Sequence, residues 1–448
     1  MASAADQMAQ SISLAKFAKA TDLKKRLWFT VGALIVFRLL SFIPLPGIDP
    51  VGLVELAGRT QGGVLDFFNT FSGGALSRAS LITLGVMPYI TASIVVQLAS
   101  SLSPQLAALK KEGESGRKKL NQYTRYGTVA LTAVQGYFAA IGFEGGGAVL
   151  EPGMLFRINA VISLIGGTMF LMWLGEQITS RGIGNGVSLI IMAGIVAHLP
   201  TTLKNLLEGG RTGSMNPVTL IAIIAVVAGL VLLICFMERA QRRILIQYPK
   251  RQTARGVQAD RSHLPLKLNT AGVIPPIFAS SLLLMPLTIS QFAGKAVQGE
   301  SRWGDFVLTL NQYLQHGSLV YMLLYAGGII FFSFFYTAVV FNPEETAENL
   351  KRYGGFVPGI RPGKNTETYF DYVLTRITVI GAAYLTFICV VPEYLVSALS
   401  IPFYLGGTSL LIVVNVTMDT VTQIQSHLLA HQYGDLIKKA KLKGGRLR

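Results

Sequence analysis

PVTLIAIIAVVAGLVLLICFM, residues 217–237, runs for twenty-one residues without one charged side chain. At about 1.5 Å of rise per residue, a helix of that length covers about 30 Å, the thickness of a bilayer's hydrocarbon core. It is apolar around its whole circumference, so it has no polar face to give to water. It reads as a transmembrane helix. Working outward, nine more runs of similar character appear: 27–45, 79–102, 126–143, 155–175 and 187–203 before it, and 271–292, 318–341, 372–392 and 400–424 after it. Composition agrees. Of 448 residues, 51% are hydrophobic and 14% charged, and the mean hydropathy is +0.49. A soluble chain would carry about a quarter of its residues as charged side chains. No polar stretch is long enough for a separate domain, which predicts one integral domain with cytoplasmic loops.

Charge placement sets the expected topology, because Lys and Arg accumulate on the cytoplasmic side. The N-terminal arm holds five, 103–125 six, 176–186 one, 238–270 eight, 342–371 four and the tail after His427 six. The opposite set has seven: Arg59, Arg78, Arg157, Lys204, Arg211, Lys295 and Arg302. Both termini are therefore expected in the cytoplasm, and the net charge of +16 follows from topology rather than from nucleic-acid binding. Residues 1–20 are polar and lack a small-residue cleavage site after an apolar core, so they do not read as a cleaved signal peptide. The predicted organisation is a cytoplasmic arm 1–26, an N-terminal half 27–203, a C-terminal half 204–426 and a basic cytoplasmic tail 427–448. Five spans per half would place the halves in opposite orientations, as in inverted repeats. The apolar, aromatic stretch VLDFFNTFSGG (64–74) is too short to span, and two readings stand: a surface-lying amphipathic helix, or a half-helix folded back into a cavity.

Little in the chain points to catalysis. Cys235 and Cys389 lie inside apolar runs and read as small buried hydrophobes. The five histidines fall at span ends or in loops, without a His-Glu-x-x-His pattern or a carboxylate cluster. Arg181-Gly-Ile-Gly-Asn-Gly186 follows no strand and reads as a tight turn, not a nucleotide loop. Asn415-Val-Thr417 matches the glycosylation pattern inside a span and is set aside. Ionisable groups at membrane depth are few: Arg38, Glu176, Glu238 and Asp419, with no two obviously paired. The uncharged polar residues Gln97, Gln135, Ser280 and Ser281 fit either ordinary interhelical hydrogen bonds or a seam built to open. Phe356-Val-Pro-Gly-Ile-Arg-Pro-Gly363 uses two prolines and two glycines to hold Arg361 in a fixed turn, which suits docking of an acidic or phosphate-bearing partner.

Several long motifs then carry a resemblance over essentially the whole chain. They are FIPLPGID (42–49), FSGGALSRAS (71–80), KKEGESGRKK (110–119), QYTRYGT (122–128), GTMFLMWLGEQIT (167–179), RGIGNG (181–186), AGVIPPIFASS (271–281), FNPEETAENLK (341–351), FVPGIRPG (356–363) and PFYLGGTSLLIVV (402–414). In this order they resemble the SecY family, the channel-forming subunits of Sec protein translocases. The resemblance implies an all-α integral membrane protein with ten transmembrane helices in two inverted five-helix halves around an hourglass pore.

By position, the family's constriction ring falls on Val86, Ile90, Val187, Ile191, Ile277 and Ile412. A narrow aliphatic collar dewets and blocks ions, yet yields around a passing chain. Two of the six are Val where isoleucine is common in the family, which implies a slightly wider ring. The short plug half-helix falls on Val64, Leu65, Asp66, Phe67, Phe68, Asn69, Thr70, Phe71, Ser72, Gly73 and Gly74. The lateral gate lies between the second and third spans and the seventh and eighth, with Gln97, Gln135 and Ser281 along it. The implied partners are SecE and SecG small membrane subunits, the SecA ATPase, the ribosome, signal sequences and nascent polypeptides, and membrane lipids. SecA or ribosome docking is expected on Arg242, Arg243, Lys250, Arg251, Arg255 and Arg361.

The resemblance therefore implies a passive protein-conducting channel of the bacterial inner membrane, without a cofactor or an enzymatic activity of its own. A secondary transporter for a small solute is the alternative that ten spans also allow. It would need a polar or ionic cluster at the midplane. An intramembrane enzyme would need a reactive pair facing one cavity.

Overall fold

A computed structural model describes residues 21–53, 69, 72–212, 216–248, 251–253, 256–258, 261–293, 318–399 and 406–444. The described chain is predominantly helical. Its helices are α1 (Thr21–Leu40), α2 (Met87–Leu102), α3 (Pro104–Lys111), α4 (Glu114–Gly145), α5 (Met154–Arg181), α6 (Gly186–Arg211), α7 (Pro217–Arg239), α8 (Ile274–Ala293), α9 (Leu319–Val340), α10 (Pro343–Arg352), α11 (Lys364–Leu399) and α12 (Gly407–Gly444). Among the described residues, five stretches are long and apolar enough to cross a membrane: Met154–Arg181, Gly186–Arg211, Pro217–Arg239, Leu319–Arg352 and Lys364–Leu395. A sixth is possible if Met87–Leu102 and Pro104–Lys110, bent by 105°, count as one span. Ile274–Leu283 is apolar but shorter. The other sequence-level runs lie on helices diluted by polar groups: Arg38 on α1, Gln135 and threonines on α4, Asn415 and Asp419 on α12.

α7, the segment from which the fold was read, begins at an Asn216 cap whose side chain accepts from the Val218 N–H, with Pro217 in the first turn where its missing donor costs nothing. Ile223, Leu230 and Ile234 are buried on one side, but much of its apolar surface faces outward: Val218, Leu232 and Phe236 are each more than 70% exposed. That much bare aliphatic and aromatic surface on one helix is stable against lipid and not against water. The chain is a multi-pass membrane protein.

Two compact units divide it. The first comprises Met1–Ser93, Asn121–Thr201 and Ile412–Arg448, the second Ile94–Leu120 and Thr202–Leu411. In the first unit, α1 stops at Leu40, short of the expected 45, because Pro44 and Pro46 cannot continue a helix. The chain instead pairs outward: Leu45 N–H donates to Ala79 O at 2.8 Å and Leu81 N–H to Ile43 O at 2.9 Å. That bridge occupies residues expected to open the second span at 79, and α2 starts only at Met87. Leu45, Ile48, Ala79 and Leu84 pack there against Ala139, Ala140 and Phe143 of α4 and Phe156, Ala160 and Leu164 of α5.

In the second unit, residues read from sequence as a loop form an antiparallel ribbon. β1 (Gln241–Gln247) pairs with β4 (Arg261–Lys267), with Ile244 opposite Leu264 and Ile246 opposite Ser262, and the short β2 (Arg251–Thr253) pairs with β3 (Gly256–Gln258). The departure from an all-helical fold has a plain cause. Alternate residues Ile244 and Ile246 are buried while Arg242 and Arg243 stay outside, so one face of the ribbon has a core to cover. That core is Leu266, Ala347 and Leu350 of α10, Val357, and Phe370, Val373, Leu374 and Ile377 of α11. The other expected loop, 342–371, therefore contains a helix. α10 is capped by Asn342, whose side chain accepts from the N–H groups of Glu344 and Glu345.

Candidate functional site

The six aliphatic residues assigned to a constriction share one kind of position. Val86 directly precedes α2 and Ile90 lies in its first turn, its N–H donating to Val86 O at 3.1 Å. Val187 and Ile191 repeat that spacing at the start of α6, Ile277 lies in the first turn of α8, and Ile412 in the second turn of α12. All but Val187 are buried. Ile277 belongs to the second unit, the other five to the first.

Local geometry fixes the α6 pair. The RGIGNG segment is the tight turn read from sequence: Gly184 sits at φ +87°, its N–H donates to Gln423 Oε1 at 2.8 Å, and Ile183 N–H donates to Thr30 Oγ1 at 3.1 Å. Asn185 caps α6 by accepting from Val187 and Ser188 N–H. What sequence reasoning missed is the approach of Gly186 to α5. A Cβ on Gly186 would stand 2.0 Å from Gly175 O, and one on Gly175 3.0 Å from Val187 Cγ2. Two glycines seat Val187; a small residue on each side of a helix contact is the only signal for it. On the far side α6 meets α12, where Thr417 Oγ1 lies 3.6 Å from Met192 Sδ.

Of the segment assigned as a plug, Asn69, Ser72, Gly73 and Gly74 are described; Val64, Leu65, Asp66, Phe67, Phe68, Thr70 and Phe71 lie outside the described residues. Ser72, Gly73 and Gly74 are buried. Arg38 Nη1 and Arg78 Nη2 both donate to Gly73 O, at 2.6 and 2.7 Å, and Arg78 Nε donates to Gly74 O at 3.0 Å. Arg38 is a charge inside an apolar run, which signals that a partner must exist, though not which one.

Of the residues assigned to a lateral gate, Gln135 is buried on α4 and Gln97 exposed on α2. Ser281 is buried on α8, and its Oγ has no hydrogen-bond partner among the described residues. Its neighbour Ser280 bonds within its own helix, to Ile277 O at 2.9 Å. Two ionisable residues whose partners are not evident in the sequence have them. Glu176 forms a two-pronged bond with Arg125 at 2.9 and 2.7 Å, and Glu238 accepts from Asn269 Nδ2 at 2.6 Å. Both partners come from other elements, so the pairing is tertiary and invisible to spacing.

Three of the six basic residues assigned to docking, Arg242, Arg243 and Arg361, fall on one body. Gln247 of β1 and Phe356 exchange two backbone hydrogen bonds of 2.9 Å, fastening the 356–363 turn to the ribbon edge. In that turn Gly359 and Gly363 take φ +83° and +106°, and Thr366 Oγ1 bonds Arg361 O at 3.0 Å. Arg242, Arg243 and Arg361 are exposed on this body. Lys250 and Arg255 lie outside the described residues, as does the Arg251 side chain.

Apolar helices with bare outer faces, aliphatic residues at helix starts and an exposed basic ribbon-and-turn projection define a polytopic helical membrane protein. The family model for SecY matches residues 80–421. The SecY protein translocase subunit of Escherichia coli (strain K12) is 54% identical over 428 residues, covering 94% of this chain and 96% of that one. The chain belongs to the SecY family. Its fold is similar to a solved SecY translocation channel (TM-score 0.64, 20% identity, 90% of this chain and 92% of that one). It is also similar to Sec61 in the canine ribosome–channel complex from the endoplasmic reticulum (TM-score 0.60, 18% identity, 90% and 92%).

Proposed function

We propose that this chain is a protein-conducting channel of the bacterial inner membrane, with ten spans in two inverted halves around an hourglass pore and both termini cytoplasmic. In this reading unfolded secretory polypeptides cross through the waist formed by Val86, Ile90, Val187, Ile191, Ile277 and Ile412. Membrane-bound segments leave sideways through a gate bearing Gln97, Gln135 and Ser281. The observation that carries it is that the six positions are all aliphatic and all lie at or just before the first two turns of a helix. Uncharged methyl groups offer no binding energy to an ion or a polar solute. They exclude water when closed and deform around a chain of any sequence.

Residues 64–74 act as the plug. In the similar SecY channel the plug domain stabilises the closed state and maintains a membrane seal, and the burial of Ser72, Gly73 and Gly74 supports the same role here. A pore of this kind does no chemistry and needs an external motor. The ribbon and the 356–363 turn are the docking body for a SecA-type ATPase and the ribosome, a reading supported by the ribosome-bound state of the Sec61 relative. SecE- and SecG-type subunits complete the complex in the membrane. A chain segment that pauses at the gate partitions into lipid when its summed transfer energy is favourable, with Leu or Ile worth about −0.5 and Lys or Arg about +3 kcal/mol at the centre.

The test is depletion of the protein while a secreted precursor is followed by pulse-labelling. The expected result is precursor accumulating uncleaved in the cytoplasm. Normal export together with lost uptake of one solute would overturn the channel in favour of a carrier.

A further inference from the structure

Residues 72–74 are held by two cations that share one acceptor. Arg38 reaches from the last turn of α1 and Arg78 from the turn preceding α2, and both donate to the carbonyl of Gly73, with a third bond from Arg78 to Gly74. Their guanidinium carbons lie 5.0 and 4.3 Å from the ring centre of Phe42. Two like charges set this close repel each other, and partial burial removes the water that would screen them. The arrangement is stable only while something negative faces both. Here that is the Gly73 carbonyl, which accepts from both, together with the face of the Phe42 ring; the Gly74 carbonyl adds a third acceptor for Arg78. Gly73 and Gly74 sit at φ +71° and +82°, a conformation open to glycine that aims successive carbonyls toward the cations.

The fit is close on the other sides as well. A Cβ on Gly73 would lie 3.2 Å from Gly194 Cα of α6, and one on Gly74 would run into Arg78 itself. Asn69 closes the turn, its carbonyl accepting from Gly74 N–H at 2.8 Å and its Oδ1 from Ser77 N–H at 3.0 Å. Next to Arg78, Ala79 has φ +42°, the one positive value of a non-glycine among the described residues. Strain of that kind persists only where surrounding contacts over-determine it. Withdrawal of the Gly73 carbonyl would leave the cations facing each other without their common acceptor, so partial release is disfavoured and the segment is either held or free.

We propose that Arg38 and Arg78 form a dicationic latch on the 72–74 segment, positioning it in its buried state and letting it go as a unit. Only the consequence for ion leakage rests on the plug reading above. The test places a cysteine at Ser72, which is buried, in the full chain in native membranes and measures its rate of modification by a polar maleimide. Arg78→Ala removes two charged hydrogen bonds and is expected to raise the rate at least about tenfold, and Arg38→Ala by a smaller factor. Arg38→Lys keeps a donor that can reach Gly73 O and is expected to stay protected, whereas the similarly sized Arg38→Met is not. Unchanged reactivity in the Arg38→Ala, Arg78→Ala double variant overturns the latch, and so does equal exposure in the Lys and Met variants. Ion conductance measured on the same membranes separates the two readings. Faster modification with higher leakage supports both, and faster modification with unchanged leakage keeps the latch while overturning the plug.

Discussion

Gly186 has no room for a side chain, and Gly32 has nothing but room. A Cβ on Gly186 would fall 2.0 Å from Gly175 O, whereas one on Gly32, in the middle of α1, would meet nothing within 4 Å. Gly186→Ala forces α5 and α6 apart at the contact that seats Val187 and is expected to cost about 1–3 kcal/mol. Gly32→Ala replaces a poor helix former in a helix interior and is expected to gain up to about 1 kcal/mol. Thermal midpoints of the detergent-purified variants check both, and the two should shift in opposite directions. Nothing in the sequence separates these glycines, because each is simply a glycine in or beside an apolar run. Which one another backbone approaches is set by residues far along the chain.

At the scale of elements, the junction between α4 and α5 is tied by charge. Glu144 accepts from Gly153 N–H at 3.0 Å and from Arg157 Nε at 2.9 Å, with Arg157 Nη2 at 2.8 Å. Burial pushes the Glu144 carboxyl up, but the bonds from Arg157 and from the Gly153 N–H outweigh it and hold the group below the usual carboxylate range. The folded carboxyl thus binds its proton less tightly than the unfolded one, near 4.3. Its contribution to stability is complete above that value and is lost as pH falls through the lower, folded one. Thermal midpoints of Glu144→Gln, taken between about pH 7 and pH 3, should decline less steeply on acidification than those of the wild type. An identical slope would place acid lability elsewhere. The same scale shows where periodicity misled: Gln241–Gln247 reads as part of a basic loop, since its two buried positions, Ile244 and Ile246, are too few to advertise a strand. Pairing with β4 across more than a dozen residues makes it one.

For the whole molecule, the consequential join is between two segments far apart in sequence. The ribbon and the 356–363 turn are fastened by the Gln247–Phe356 bonds, so Arg242, Arg243 and Arg361 project from one rigid base. Reversing the charge with Arg361→Glu is expected to weaken docking of a SecA-type ATPase at least tenfold, on the order of the 1–3 kcal/mol of a charge-assisted contact. Ion conductance of the resting protein should not change, because the turn is remote in sequence from the proposed waist and plug; flotation binding assays and bilayer recordings read the two separately. Membrane residence and family membership were legible from the chain alone. Hydrophobic run length, charge asymmetry and long motifs are local properties, and the bilayer acts on them segment by segment. The tertiary structure alone decided which groups Arg38, Glu176 and Gly186 meet, and that the two basic loops form a ribbon and a helix. In hydrocarbon a polar group or a bare backbone must find its partner inside the protein, and that partner comes from wherever the fold brings another element alongside.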